Sequence, residues 1–165
     1  MRRSSLLAIG VSEAELLSQG IFLLNLQMGG LVVGSVIWGI LGDKKGRVKV
    51  LYGSILLYSI ATLLNAFVTH TYQYAVLRFI AGIGLSGELG AAITLVSESM
   101  TSKRRGFGTM TVAGFGLMGG MLAALLAELF SWKTCYIIGG CIGLGLLLLR
   151  VSLPEPQLFK EISGH

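Results

Sequence analysis

This sequence predicts an all-α integral membrane protein with five transmembrane helices, and three observations carry the prediction. Hydrophobic residues make up 53% of the chain and charged residues only 13%, whereas soluble domains carry about 25% charged residues. The apolar residues are gathered into runs, and 16–42 and 50–69 contain no charged residue at all. Each of these runs meets the roughly 20 residues that a helix needs to cross hydrocarbon. The cations fall between the runs, where membrane topology puts them, so the net charge of +5 does not indicate nucleic-acid binding.

Residues 1–15 hold Arg2, Arg3, Glu13 and Glu15 and no span of their own; they read as an external flanking segment. A first span runs over about 17–42 and a second over about 48–69. The brief His70-Thr71-Tyr72-Gln73 turn leads into a third span, about 72–97, where Tyr72 and Tyr74 suit the membrane interface. Arg78 and Glu88 interrupt this third span. A fourth span covers about 106–130, and Trp132 and Lys133 follow it as interface anchors. The fifth, about 134–149, is short, but Lys133 and Arg150 can extend their stems to the headgroups. Pro154 and Pro156 end the helical pattern. The membrane domain is therefore 16–153, with a tail at 154–165.

Charge sets the expected orientation. The loops after the first and third spans, together with the tail, hold Lys44, Lys45, Arg47, Lys49, Lys103, Arg104, Arg105, Arg150 and Lys160, against Arg2, Arg3 and Lys133 on the other side. The positive-inside rule makes the tail cytoplasmic and the N-terminal segment external. An external start without a translocated signal is explained if a first helix is missing. Cys135 and Cys141 lie in one apolar run without metal-ligand spacing, so no metal, disulfide or cofactor is expected. Glycine, 24 of 165 residues, is about twice its usual 7%. Helices whose backbones approach closely account for that excess.

The joint between the first two spans reads Gly39-Ile-Leu-Gly-Asp-Lys-Lys-Gly-Arg-Val-Lys49. Asp43 and Gly46 fit a tight turn, the one through a short carboxylate that bonds nearby N–H groups, the other through access to positive φ. Gly39, Leu41, Asp43, Gly46 and Arg47 closely resemble the signature loop of the major facilitator superfamily, which joins the second and third helices of those transporters. The third span adds Arg78-Phe-Ile-Ala-Gly82-Ile-Gly84-Leu-Ser86-Gly87-Glu88, similar to the superfamily's fourth helix, with a Gly-Glu ending that looks like proton-coupled solute symporters. Glu98, Thr101, Arg105 and Gly106 resemble the segment after that helix, with Thr101 where proline is usual. The resemblance covers 16–156 and corresponds to helices two to six. It implies part of a six-helix half bundle, in a family whose members have about twelve helices and hold solute between two halves.

The resemblance implies roles for these residues. Asp43 and Arg47 would join Glu98 and Arg105 in a charge network that latches the cytoplasmic side, with Gly39 and Gly46 shaping the loop; the alternative is solvated rim charge worth about 1 kcal/mol or less. A charge within the membrane costs about 2.5–3.5 kcal/mol on insertion scales, so Arg78 and Glu88 are expected to face a cavity or a partner. For Arg78 the alternative is snorkelling towards the nearby interface. Glu88 is about 15 Å further along the helix and rotated by about 80°, too far for a salt bridge with Arg78. Ala81, Gly84, Ala91 and Ala92 share its side. A carboxyl there can carry a proton. Gly82 and Gly84 read as packing positions, as do Gly116 and Gly120, which form a GxxxG pattern in the fourth span. No proline accompanies those glycines, unlike the Gly-Pro pair of the superfamily's antiporters, which favours symport or uniport.

The function expected is secondary active transport of a small solute, as proton-coupled symport by alternating access in a bacterial inner membrane. The expected partners are solute, proton and lipid, with a missing transporter half or a second copy completing the assembly. The alternative is a non-transporting fragment or helix-packing interaction protein. Gly84-Leu-Ser86-Gly87 also reads as the GxSG of rhomboid-type intramembrane proteases, but that nucleophile needs a histidine base on another span. The two histidines are His70, in a turn, and His165, at the terminus; the chain is not read as an enzyme.

Overall fold

The computed structural model describes residues 2–101 and 104–152. Six helices follow one another: α1 (Arg2–Ala8), α2 (Leu16–Lys45), α3 (Arg47–Asn65), α4 (Thr71–Ser99), α5 (Arg105–Leu129) and α6 (Trp132–Ser152). Five of them, α2 to α6, are long and apolar enough to cross a membrane. The physical reason is that hydrocarbon offers no hydrogen-bond partners, so an apolar segment must satisfy its N–H and C=O groups within itself. The tail at 154–165 lies outside the described residues.

The joints are short, so successive helices run antiparallel. Gly46 alone separates α2 from α3. Its φ of 88° lies in the left-handed region that favours glycine, and its N–H caps α2 by donating to Gly42 O at 3.1 Å. Asp43 is not in this turn, as the sequence pattern suggested, but in the last turn of α2. The helix continues to the one residue that can leave it. At the opposite end of the bundle, the Gln73 side chain accepts from Thr69 N–H and Oγ1 at 3.3 and 3.1 Å, bracing the start of α4. Ser131 Oγ accepts from Thr134 N–H at 3.4 Å and so caps α6, which begins at Trp132 rather than after Lys133.

α4 is the centre of the bundle, packed most extensively against α2 and α3, with α6 against α3 and α5 in lighter contact with α4 and α6. Two apolar clusters mark the two ends. Near His70, Leu6 of α1 joins Leu23, Ala66, Val68, Tyr74, Ala75 and Tyr136. Near Gly46, Val50, Leu51, Ile55 and Ala91 pack with Trp38, Leu41 and Leu147 around them.

Candidate transport site

Glycine determines how closely the helices around the site can approach. A Cβ added at Gly30 or Gly34 of α2 would run into the α4 backbone at Phe79 and Ile83, the latter at 2.7 Å from Gly34. One at Gly82 would collide with Gln27 O and lie 3.1 Å from Leu31 N. On the other side of α4, a Cβ at Gly84 would come within 2.6 Å of Tyr58 N in α3. Both faces of α4 are therefore backbone-to-backbone contacts. Trp38 Nε1 secures the first by donating to Ile83 O at 2.8 Å. A Cβ at Gly87 would collide with the Trp38 ring at 2.7 Å, and one at Gly53 would press on it at 3.3 Å.

Gly116 and Gly120, read from the sequence as a packing pair, have no close neighbour among the described residues. A Cβ on either meets nothing within 4 Å, because α5 lies at the edge of the bundle.

Arg78 does not reach out to the interface. Its guanidinium is wedged among α2, α4 and α6: Nη2 donates to Tyr74 OH at 2.9 Å and to Tyr136 OH, and Nη1 donates to Gln27 Oε1 at 3.3 Å. The two phenol oxygens are 2.7 Å apart, and Ser5 Oγ of α1 donates to Tyr74 OH at 3.1 Å. Arg78 Cζ stands 5.1 Å from the centroid of each tyrosine ring, close enough for both rings to attract the cation. These partners are all neutral, and Nε is buried with no hydrogen-bond partner among the described residues. Tyr74, read as an interface residue alongside Tyr72, is instead fully buried at 0% exposure, while Tyr72 is 79% exposed. Two positions along a helix turn a side chain to a different face.

Glu88 lies on the α3 side of α4, on the wall of a cavity of about 240 Å³ between α3, α4 and α6, with Tyr58, Ser59, Gly139 and Gly143 among the other lining residues. Arg78 and Glu88 thus serve different surroundings. Towards Gly46, Asp43 is exposed and lines a second cavity, of about 180 Å³, with Ser35, Trp38, Ser86 and Thr94. Arg105 Nε donates to Met100 O at 3.3 Å. The side chains of Arg47 and Glu98 lie outside the described residues, and Gly39 faces open space.

The Major Facilitator Superfamily model matches residues 6–164. The chain belongs to the Major Facilitator Superfamily. Among the curated relatives of this superfamily member are a Bacillus subtilis protein assigned as a niacin/nicotinamide transporter, 34% identical over 82% of this chain and 35% of the relative, and a sialic acid transporter of Escherichia coli, 36% identical over 78% and 33%. A third is a 4-hydroxybenzoate transporter of Pseudomonas putida, 36% identical over 82% and 32%. The chain spans about a third of the length of the relatives it matches. Its five apolar helices form part of a superfamily half bundle, and with bacterial relatives its multi-pass setting is the inner membrane. It belongs to a family of transporters, not enzymes.

Several residues of the site escaped the sequence reading. Gly30 and Gly34 carry the same GxxxG spacing that drew attention to Gly116 and Gly120, but nothing local tells a covered pair from an open one. Tyr74 stands at i−4 from Arg78 and was recoverable from helical spacing. Tyr136, Gln27 and the Trp38 bond to Ile83 join residues 45 to 58 positions apart, and no local signal announces them.

Proposed function

We propose that this chain is the part of a proton-coupled symporter that binds a small organic acid, with Arg78 meeting the solute's carboxylate and Glu88 carrying the proton as the site opens alternately to either side. The supporting observation is the Arg78 guanidinium, a cation within a membrane span whose described partners are neutral and whose Nε is buried without a partner among the described residues. An intramembrane cation normally acquires a counter-charge, and the planar fork of arginine matches a carboxylate better than any other side chain does. Two relatives are named for solutes that bear a carboxylate, 4-hydroxybenzoate and sialic acid. Tyr74 and Tyr136 add aromatic faces beside the cation.

In this reading the charged residues at the Gly46 end, Asp43, Arg47, Glu98 and Arg105, hold the cytoplasmic side shut. Asp43→Asn then impairs turnover more than equilibrium solute binding. Cysteine at Thr71 is labelled from outside by an impermeant thiol reagent and cysteine at Lys45 is not; the reverse pattern rejects the orientation.

The deciding test is uptake of labelled 4-hydroxybenzoate by proteoliposomes, with the chain in an assembly of the length its relatives have. Glu88→Gln keeps size and hydrogen bonding but cannot release a proton, so proton-driven uptake fails while solute exchange survives. Arg78→Lys keeps the charge without the fork and raises KM at least tenfold. Proton-coupled uptake by Glu88→Gln, or an unchanged KM in Arg78→Lys, rejects the assignment. The exposed apolar face of α5 favours a second reading, a helix-packing protein without transport. That reading requires the purified chain to self-associate through α5 and to bind no solute.

A further inference from the structure

The cavity beside Glu88 has a property that the transport reading leaves unused. Ser59 on α3 is fully buried at 0% exposure and lines the cavity, yet its Oγ has no hydrogen-bond partner among the described residues. A buried hydroxyl without a partner has given up its hydrogen bonds to water with nothing in return. Most serines in spans avoid this by bonding back to a carbonyl in the preceding turn, as Ser54 Oγ does to Leu51 O at 3.0 Å and Ser86 Oγ to Ile83 O at 2.8 Å. Ser59 does not, and its Oγ occupies the space above Gly143 of α6, where a Cβ would collide with it.

From this geometry we infer that the pocket between α3, α4 and α6 is a hydration site, in which ordered water bridges the Ser59 hydroxyl and the Glu88 carboxyl and exchanges the carboxyl's proton with solvent. This inference rests on the reading of Glu88 as a proton carrier and supplies the proton's immediate partner. A water needs a polar site, two to four partners and a volume of at least about 10–15 Å³. The cavity, of about 240 Å³, has that room, and Ser59, Glu88 and Tyr58 stand on its walls. Tyr58 is the other titratable group there; the α6 wall, Gly139, Ile142, Gly143 and Leu146, contributes none. In each exchange the carboxyl O–H bond breaks as water takes the proton, giving carboxylate and hydronium, and the reverse transfer from a second hydronium restores the acid.

The test uses the full chain in lipid nanodiscs and follows the infrared band of the protonated Glu88 carboxyl, assigned by its disappearance in Glu88→Gln, after a jump into deuterated buffer. Ser59→Ala removes the hydroxyl and slows deuterium exchange at least tenfold, while Ser59→Thr, which keeps it, stays within threefold of the parent. Leu146→Phe, at an exposed position on the cavity wall, fills the pocket and slows exchange as Ser59→Ala does. Unchanged exchange in either folded variant, equal slowing by threonine and alanine, or no Glu88 acid band at any pD at which the chain is folded overturns the inference. The transport reading fails separately. Proton-coupled uptake by Glu88→Gln would reject it while leaving slow exchange in Ser59→Ala, and with it the water site, in place.

Discussion

α4 and α5 are two long, glycine-rich apolar helices of similar length, 29 and 25 residues, with opposite fates. Gly82, Gly84 and Gly87 of α4 meet backbone or ring atoms of α2 and α3, whereas Gly106, Gly114, Gly116, Gly119 and Gly120 of α5 meet nothing within 4 Å. Gly108 is the buried residue of α5, set against Val96 and Met100 at the turn from α4. Glycine content does not tell a covered helix from an open one; its neighbours do. In lipid the hydrophobic effect gives no reason for one apolar helix to adhere to another, so association depends on close van der Waals fit and on polar links. α4 has both kinds of contact, glycine faces on two sides together with the Trp38 and Arg78 bonds. α5 offers a run of glycines, but among the described residues no helix lies against Gly114, Gly116, Gly119 or Gly120.

The strongest way to break the comparison is to place the same bulk on each helix. Gly82→Leu pushes against the Gln27 carbonyl and the α2 backbone and is expected to abolish the folded monomer or to cost about 3 kcal/mol, the upper end of overpacking. Gly116→Leu stays within about 0.5 kcal/mol. Thermal unfolding in detergent reads both, and equal losses would dissolve the distinction between the helices. Tyr136→Phe comes next: it strips a hydroxyl from Arg78 and Tyr74 together and is expected to cost about 1–3 kcal/mol, because it leaves buried donors short of a partner. Chemical unfolding of the purified chain measures it.

A smaller loss sharpens the role of polar links on the α2 face. Trp38→Phe keeps a ring over Gly53 and Gly87 but removes the donor to Ile83 O, so about 0.5–1.5 kcal/mol is expected, less than for Gly82→Leu on the same face. Phe115→Ala on α5 should be nearly silent, within about 0.5 kcal/mol, since that side chain is 70% exposed. A larger loss in a demonstrably monomeric sample would mean that α5 packs within the chain after all.

The existence of the helices was legible in the sequence because it follows from a local requirement. Any run such as 16–42 or 50–69 that is apolar for about 20 residues must hydrogen-bond its own backbone in hydrocarbon. The Gly46 break was legible for the same reason, since positive φ is a property of one residue. Asp43 was misplaced into that turn because its capping preference is weak beside the continuation of a 30-residue helix to Lys45. Arg78 and Glu88 stood out because charge in a span is costly wherever the chain folds.

The tertiary structure alone decided which glycines are covered, that Tyr74 turns inward while Tyr72 does not, and that Arg78 is received by Tyr136 and Gln27. It also set Ser59 over Gly143 and opened the cavity at Glu88. Each of these is a meeting of residues on different helices. The apolar pattern that specifies a membrane helix is nearly uniform around its circumference, so it states that a helix forms without stating which face another helix will take. That choice belongs to the fit between surfaces, where one missing Cβ on the right side of α4 outweighs a whole run of glycines on α5.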